Sequence, residues 1–312
     1  MSSIELLATF LKEKGVAFER DVKLKERCTF RIGGAVDLMA IPADEGQIKD
    51  ALQKAWELSV PTFVLGRGSN ILCSDEGFRG MVIHLGKAFA GVWQEDEVTL
   101  SCQSGLSLAA LCEYAQRQGL TGLEFAYGIP GTVGGAIYMN AGAYGGEMKD
   151  VLISTRHLIR QNDRWEEGIF TGEEMQLSYR HSAYSDTNMV ITGATLRLKK
   201  GDPDKIRAQM DDYMNRRRSK QPLELPSAGS TFKRPKGNYA SALVDQCGLK
   251  GLRVGDAMVS EKHAGFVVNV GEATCSDVLE LIRQIQQRVE QQTGYHLERE
   301  VKLIGSNLHP MV

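Results

Sequence analysis

Three short glycine-rich segments hold the residues whose types and spacing could do chemistry. The longest is Gly128-Ile129-Pro130-Gly131-Thr132-Val133-Gly134-Gly135-Ala136, which runs on through Asn140-Ala141-Gly142-Ala143-Tyr144-Gly145-Gly146. Glycine loses more backbone freedom on folding than any other residue. Such density is kept where the chain turns tightly, or where backbone N–H groups must approach a ligand with no Cβ in the way. On this segment alone, a ligand cradle and a set of connected turns are equally good readings. The second segment, Gly66-Arg67-Gly68-Ser69-Asn70, follows an apolar strand-like run. Its glycines let successive N–H groups form an anion-binding nest, with Ser69 and Asn70 as added donors. A diphosphate fits that nest, and a plain strand-to-loop turn fits as well. The third, Thr29-Phe30-Arg31-Ile32-Gly33-Gly34, sets a cation beside two glycines. The turn reading has to be invoked three times. One extended ligand with a diphosphate in its middle accounts for all three.

The elements that must position these segments read as α+β in pieces. A short amphipathic helix is expected over 4–14. Val36 to Ile41, Asp44 to Leu58 and Pro61 to Leu65 form a β-α-β unit ending at Gly66. Phe78 to Leu85 is a strand, Val92 to Cys102 a hairpin turning at Glu95-Asp96-Glu97, and Leu106 to Gln118 a helix stopped by Gly119. Leu152 to Leu198 alternates in a β-rich pattern with turns at Asn162-Asp163 and Thr171-Gly172. Pro203 to Arg218 is a long polar helix. The composition shift near 200–225 marks a domain boundary. Tyr239 to Cys247 reads as a short helix and Gly265 to Val270 as a strand. Ser276 to Thr293 carries Val278, Leu281, Ile285 and Val289 on one helical face, with Gly294 as its stop. His296 to Ile304 closes the chain as a strand. The fingerprint Gly-x-Gly-x-x-Gly after the first strand is absent, so the chain is not a doubly wound dinucleotide fold.

Composition narrows the function classes. The chain has 312 residues, 42% apolar and 24% charged, with a net charge of −2. That is an ordinary globular balance, with no basic field for nucleic acid or an acidic membrane. The basic run Arg216-Arg217-Arg218-Ser219-Lys220 is a local exception. No apolar stretch is long enough to span a bilayer, and the N-terminus lacks a signal-peptide pattern, so a cytoplasmic protein is expected. The six cysteines form no Cys-x-x-Cys pair and have no His at ligand spacing. Free thiols are expected and a metal site is not.

Six motifs occur in one order: Thr29 to Gly34, Gly66 to Asn70, Gly128 to Ala136, Tyr179-Arg180-His181-Ser182, Ala228-Gly229-Ser230-Thr231-Phe232-Lys233 and Glu300-Val301. Over about residues 28 to 305 the chain resembles the UDP-N-acetylenolpyruvoylglucosamine reductase family, flavoenzymes of peptidoglycan precursor synthesis. The resemblance implies an FAD-binding module of the vanillyl-alcohol-oxidase type, built of two subdomains, plus a C-terminal αβ substrate domain. The corresponding ranges are 1–86 with the strand 296–312 returning to it, 87–205, and 206–295. The chain resembles the family's shorter class, because nothing between Tyr184 and Arg216 is long enough for an extra substrate-covering loop.

The implied reaction reduces an enolpyruvyl ether to a lactyl ether, a hydride going to C3 and a proton to C2. FAD, reduced by NADPH, carries the hydride. No His matches the covalent attachment site of related oxidases, so the flavin is expected to be non-covalent. The resemblance assigns FAD contacts to Arg31, Gly33, Gly66, Arg67, Gly68, Ser69, Asn70, Gly128, Ile129, Pro130, Gly131, Thr132, Gly134, Gly135, Ala136, Asn140, Gly142 and Ala143. Ser230 matches the family's proton donor, with Lys233 a candidate to stabilise its alkoxide. Arg180 matches the cation on the substrate carboxylate. Glu300 matches the catalytic glutamate, useful beside a developing enolate only if protonated or if it orients Arg180 or a water. Lys220 matches a diphosphate contact, with Arg216 to Arg218 as a patch around UDP. Arg234 stands where many members have Asn, and reads as a phosphate contact instead. The expected partners are therefore the UDP-sugar and NADPH, with no obligate protein partner. The alternatives are a small-alcohol or hydroxy-acid oxidase on the same FAD module, and a nucleotide-sugar binder without cofactor.

Overall fold

The computed structural model describes residues 1–305. The N-terminal sheet has the strand order 17–23, 35–41, 78–84, 62–65, and the last three strands run parallel. Helix α1 (Ser3–Glu13) and helix α2 (Glu45–Glu57) pack on one face over Leu38, Ala40, Met81 and Ile83. Met39 and Val82 point the other way and join a second cluster with residues from the C-terminal unit. A sheet buried on both faces explains why these strands read as continuous apolar runs rather than alternating ones. The edge strand Ala17–Lys23 was not expected from the sequence. It pairs only with Ala35–Ile41 and leaves Glu19 and Asp21 among polar groups at the surface, so its pattern carries little apolar signal.

The middle unit is a five-stranded antiparallel sheet in the order 164–171, 152–161, 190–197, 99–103, 92–94. Helix α3 (Leu108–Arg117) and helix α4 (Val133–Tyr138) cover it. α4 lies inside the long glycine run, where only turns or a cradle were expected. It forms because Thr132 caps it, Oγ1 accepting from Gly135 N–H at 3.4 Å, and because Gly134 lets the helix lie against Ser104. Helix α5 (Pro203–Lys220) starts on an Asp202 cap. Its buried residues Ile206 and Met210 belong to the middle core, which corrects the boundary expected at 205/206. The polypeptide leaves the middle unit at the end of α5.

The C-terminal unit has strands in the order 227–230, 266–269, 257–259, 253–254, with helix α6 (Ala240–Gln246) and helix α7 (Cys275–Thr293). α7 carries the expected apolar face, a Thr274 capping box and Gly294 in the left-handed region at φ 75°. Val278, Leu281, Ile285 and Val289 share one cluster with Val36, Met39 and Val82 of the N-terminal sheet. The first and third units are thus welded by a common core. The expected closing strand is shorter than 296–304. Only Lys302–Ile304 is regular, pairing in parallel with Ile71–Cys73. The part of that expectation over 306–312 lies outside the described residues.

Candidate active site

The three units meet around one cavity of about 930 Å³. Gly66 to Asn70 and Ile129 to Ala136 form adjoining walls, omitting only Val133 from the lining. A Cβ on Gly66 would stand 2.4 Å from Thr132 Oγ1, and one on Gly131 3.6 Å from Ser69 Oγ. The two loops therefore pack backbone against side chain, and the first admits only glycine. Gly142 and Ala143 also line the cavity.

The remaining glycine-motif residues lie behind this wall. Gly33 does not face the cavity, because a Cβ there would strike Cys73 Cβ at 2.4 Å. Its need for glycine is packing. Arg31 is exposed, in the left-handed region at φ 57°. Thr29 does the tying in this segment: its N–H donates to Gly68 O at 3.1 Å and its hydroxyl to Ser227 O at 2.7 Å. The motif thus buttresses the Gly66 loop and fastens it to the C-terminal unit. Asn140 is buried away from the cavity, donating to Glu147 Oε2 at 2.8 Å and Ser178 O at 3.1 Å and accepting from Lys149 N–H. Gly128 sits under Arg217, whose Cδ would be 3.1 Å from a Cβ.

Arg180, Ser230 and Glu300, separated by up to 120 residues, all line the same cavity. Residues 298–300 run beside 231–233: Glu300 N–H donates to Thr231 O and Lys233 N–H to Glu298 O, with a bridge between Phe232 and Arg299. Asn70 braces the same segment through Glu300 O at 3.4 Å, and Lys302 N–H donates to Asn70 O. Gly229, at φ 79°, creates a register shift between Ser227 and Ser230 in their pairing with strand 266–269. Such a bulge re-aims the next side chain, here Ser230 at the cavity. Arg180 sits at the tip of a tight turn closed by Ser178 and His181, with φ 57°. A non-glycine residue held there stores backbone strain of the kind that clusters at functional sites.

Arg180 Nε donates to Glu300 Oε1 at 2.7 Å. Glu300 is 7% exposed. Burial pushes its carboxyl above the ordinary glutamate value, while the Arg180 guanidinium pulls the other way without cancelling the rise. With Nε engaged, the Nη1/Nη2 side of Arg180 is left to meet a carboxylate through parallel bonds. Because the folded-state value is raised, the fold favours protonated Glu300. Relative to Glu300→Gln, stability is thus expected to fall as pH rises from the ordinary glutamate value through the raised one, and to stay level above it. Urea denaturation of both proteins across mildly acidic pH measures this. A stability advantage of the parent over Glu300→Gln that shrinks on acidification would contradict the sign.

Of the basic side chains expected to bind substrate, Arg180 and Arg217 line the cavity, whereas Lys220, Lys233 and Arg234 do not. Lys233 pairs with Glu298 and does not line the cavity, as residues three apart on an extended segment face opposite sides. Its charge still reaches Glu300, where it acts with Arg180 to oppose the rise in proton affinity. Arg234 stacks on Tyr239 with its guanidinium 3.9 Å from the ring centroid, and its N–H donates to Tyr179 Oη. Lys220 is exposed at the end of α5. Sequence reasoning missed Ser104, Gln221 and the 186–191 segment, all of which line the cavity. None carries a motif signal.

The cavity fits a large polar cofactor. Two tightly packed backbone loops face it, and Asn70, Arg180, Ser230 and Glu300 bring polar side chains to the same lining. Comparison with known proteins agrees. Residues 36–161 match an FAD binding domain, and residues 221–304 match the C-terminal domain of UDP-N-acetylenolpyruvoylglucosamine reductase. The reductase of Clostridioides difficile is 45% identical over 287 residues, covering 92% of this chain and 93% of that protein. The chain belongs to the UDP-N-acetylenolpyruvoylglucosamine reductase family. The Clostridium perfringens reductase is 43% identical across 98% of both chains. The crystal structure of the Thermus caldophilus reductase superposes with a TM-score of 0.77 at 37% identity, covering 92% of this chain and 99% of that one. The fold of this family member is accordingly an FAD-binding domain joined to the reductase C-terminal domain. Among the described residues no helix is long and apolar enough to cross a membrane.

Proposed function

We propose that this family member reduces the enolpyruvyl ether of UDP-N-acetylglucosamine to the lactyl ether UDP-N-acetylmuramate, using NADPH and non-covalent FAD. The observation that carries the reading is the part-buried Arg180–Glu300 pair, 2.7 Å apart, opening on the cavity that Ser230 also lines. The flavin, once reduced by NADPH, is the source of the hydride for C3. Gly66 to Asn70 and, Val133 excepted, Ile129 to Ala136 would hold it, together with Gly142 and Ala143. Residues 1–86 and the middle unit would enclose it, and the C-terminal unit supplies Ser230.

Negative charge builds in the substrate carboxylate as C3 is reduced. Arg180 meets it with a guanidinium already aimed by Glu300, so no reorganisation is needed as the charge grows. Glu300 therefore acts as an orienter of Arg180. Ser230 Oγ–H delivers the proton to C2, and the hydroxyl is restored from solvent. All of these groups come from one chain, so the reading requires no protein partner. NADPH and a UDP-sugar are cytoplasmic metabolites, which places the reaction in the cytoplasm.

The test is an absorption spectrum. The purified protein is expected to be yellow, to bleach with NADPH, and to regain colour anaerobically when the UDP-enolpyruvyl sugar is added. A protein that binds FAD and bleaches, yet regains colour only with oxygen and releases peroxide, is an oxidase and defeats the proposal.

A further inference from the structure

Asn140 stands between a wall of the cavity and the turn that carries Arg180. It follows α4 and precedes the hairpin in which Gly142–Ala143 pairs with Gly146–Glu147. It is 1% exposed, does not line the cavity, and holds its backbone in the left-handed region at φ 39°. Its oxygen and both N–H groups are engaged: Oδ1 accepts from Lys149 N–H at 2.9 Å, and Nδ2 donates to Glu147 Oε2 at 2.8 Å and to Ser178 O at 3.1 Å. A backbone N–H only donates and a carbonyl only accepts, so the amide has one orientation. Ser178 closes the Arg180 turn by exchanging two backbone bonds with His181, both at 3.1 Å. Its carbonyl thus has one donor inside the turn and a second in Asn140. The other leg of the turn is tied to the same place, with Ser182 Oγ donating to Tyr138 O at 2.9 Å. Asn70 donates to Met139 Sδ at 3.7 Å and to Glu300 O at 3.4 Å. Residues 138–140 therefore hold both members of the Arg180–Glu300 pair.

Arg180 needs that outside hold. At the tip of its turn it keeps φ 57°, which a non-glycine residue retains only where its surroundings over-determine it. The hairpin after Asn140 is itself tightly packed: a Cβ on Gly142 would stand 2.7 Å from Gly146 O, and Gly142 and Ala143 line the cavity. We propose that Asn140 is a positioning residue, fixing the Arg180 guanidinium relative to the wall that would hold the flavin while touching neither flavin nor substrate. This rests on the proposed function, in which hydride delivery to C3 needs the substrate carboxylate on Arg180 and the flavin on that wall at once. A misplacement of about 1 Å between such groups can cost ~10²-fold.

Asn140→Gly keeps the left-handed backbone without strain and removes the amide. Asn140→Asp, assayed at mildly alkaline pH where its carboxyl is ionised, keeps the shape and an acceptor for Lys149 N–H but offers Ser178 no donor. Each is expected to slow recolouring of the NADPH-bleached flavin by the UDP-enolpyruvyl sugar about tenfold or more, with NADPH bleaching and the FAD dissociation constant within about twofold of the parent. Asn140→Gly carries the test alone if the carboxylate facing Glu147 prevents Asn140→Asp from folding. Made in the Arg180→Met background, Asn140→Gly is expected to slow the substrate step further by less than about twofold, because the group it positions is gone. A residue acting independently of Arg180 adds its full penalty in both backgrounds. Three results overturn the proposal: a tenfold effect that persists in Arg180→Met, equal slowing of both half-reactions, or a substrate step that Asn140→Gly leaves within about twofold. Weaker FAD binding with an unchanged substrate step overturns it too, and makes Asn140 a flavin contact. A parent protein that the sugar does not recolour defeats the proposed function itself, and that result is read before any variant is made.

Discussion

Ser230→Ala is expected to leave NADPH bleaching of the flavin within about twofold of the parent, while slowing reoxidation by the UDP-enolpyruvyl sugar by ~10²–10⁴-fold, the usual worth of a positioned proton donor. The two half-reactions differ in what they ask of this residue. Loading the flavin from NADPH needs no proton at substrate C2. Completing the lactyl ether does. Ser230 is aimed at the cavity by the bulge at Gly229 and held by the pairing of 231–233 with 298–300. Removing Oγ changes none of these backbone bonds, so the variant is expected to fold and bind FAD like the parent. Stopped-flow absorbance of each half-reaction checks the split. Equal slowing of both would show that Ser230 is structural.

Arg180→Met is expected to lose both turnover and stability. Taking away the group that meets the developing charge costs ~10²–10³-fold in the substrate half-reaction. It also strands Glu300, which is 7% exposed and whose carboxylate is bonded to Arg180 Nε. Removing one partner of a buried pair typically costs about 3 kcal/mol or more, because the other charge is left uncompensated. Burial already raises the Glu300 proton affinity, and losing the opposing guanidinium raises it further. Part of the penalty is then relieved by protonation at acidic pH. The double variant Arg180→Met/Glu300→Gln is expected to recover most of the stability and none of the turnover. Urea unfolding and single-turnover kinetics on the three proteins measure both. Recovery of turnover in the double variant would show that Arg180 acts only on Glu300, not on substrate.

Much of the fold was legible locally. The face of α7 with its Thr274 cap and Gly294 stop, the β-α-β start and the β-rich middle all follow from period, caps and turns. What failed to read has identifiable causes. The edge strand Ala17–Lys23 is half solvated and lacks an apolar alternation. α4 contradicts glycine's helix propensity because close approach to Ser104 outweighs it. α5 looked like the start of a new domain because it is polar, yet two buried residues, Ile206 and Met210, fix it to the middle core.

The site divides in the same way. Glycine at 66 was legible because the need for no side chain leaves a mark on composition. The roles of Gly33 and Asn140 were not, since a glycine packed on Cys73 and an asparagine bracing a turn use the same letters as ligand contacts. Local order and motif content alone determined the family and the cofactor class, and brought forward Arg180, Ser230 and Glu300 as candidates that share one cavity. Only the tertiary structure decided that Glu300 grips Arg180, that Lys233 turns away to Glu298, and that Arg217 rather than its neighbours faces inward. Those outcomes depend on which segments pack together across more than a hundred residues, and local spacing carries no information about that.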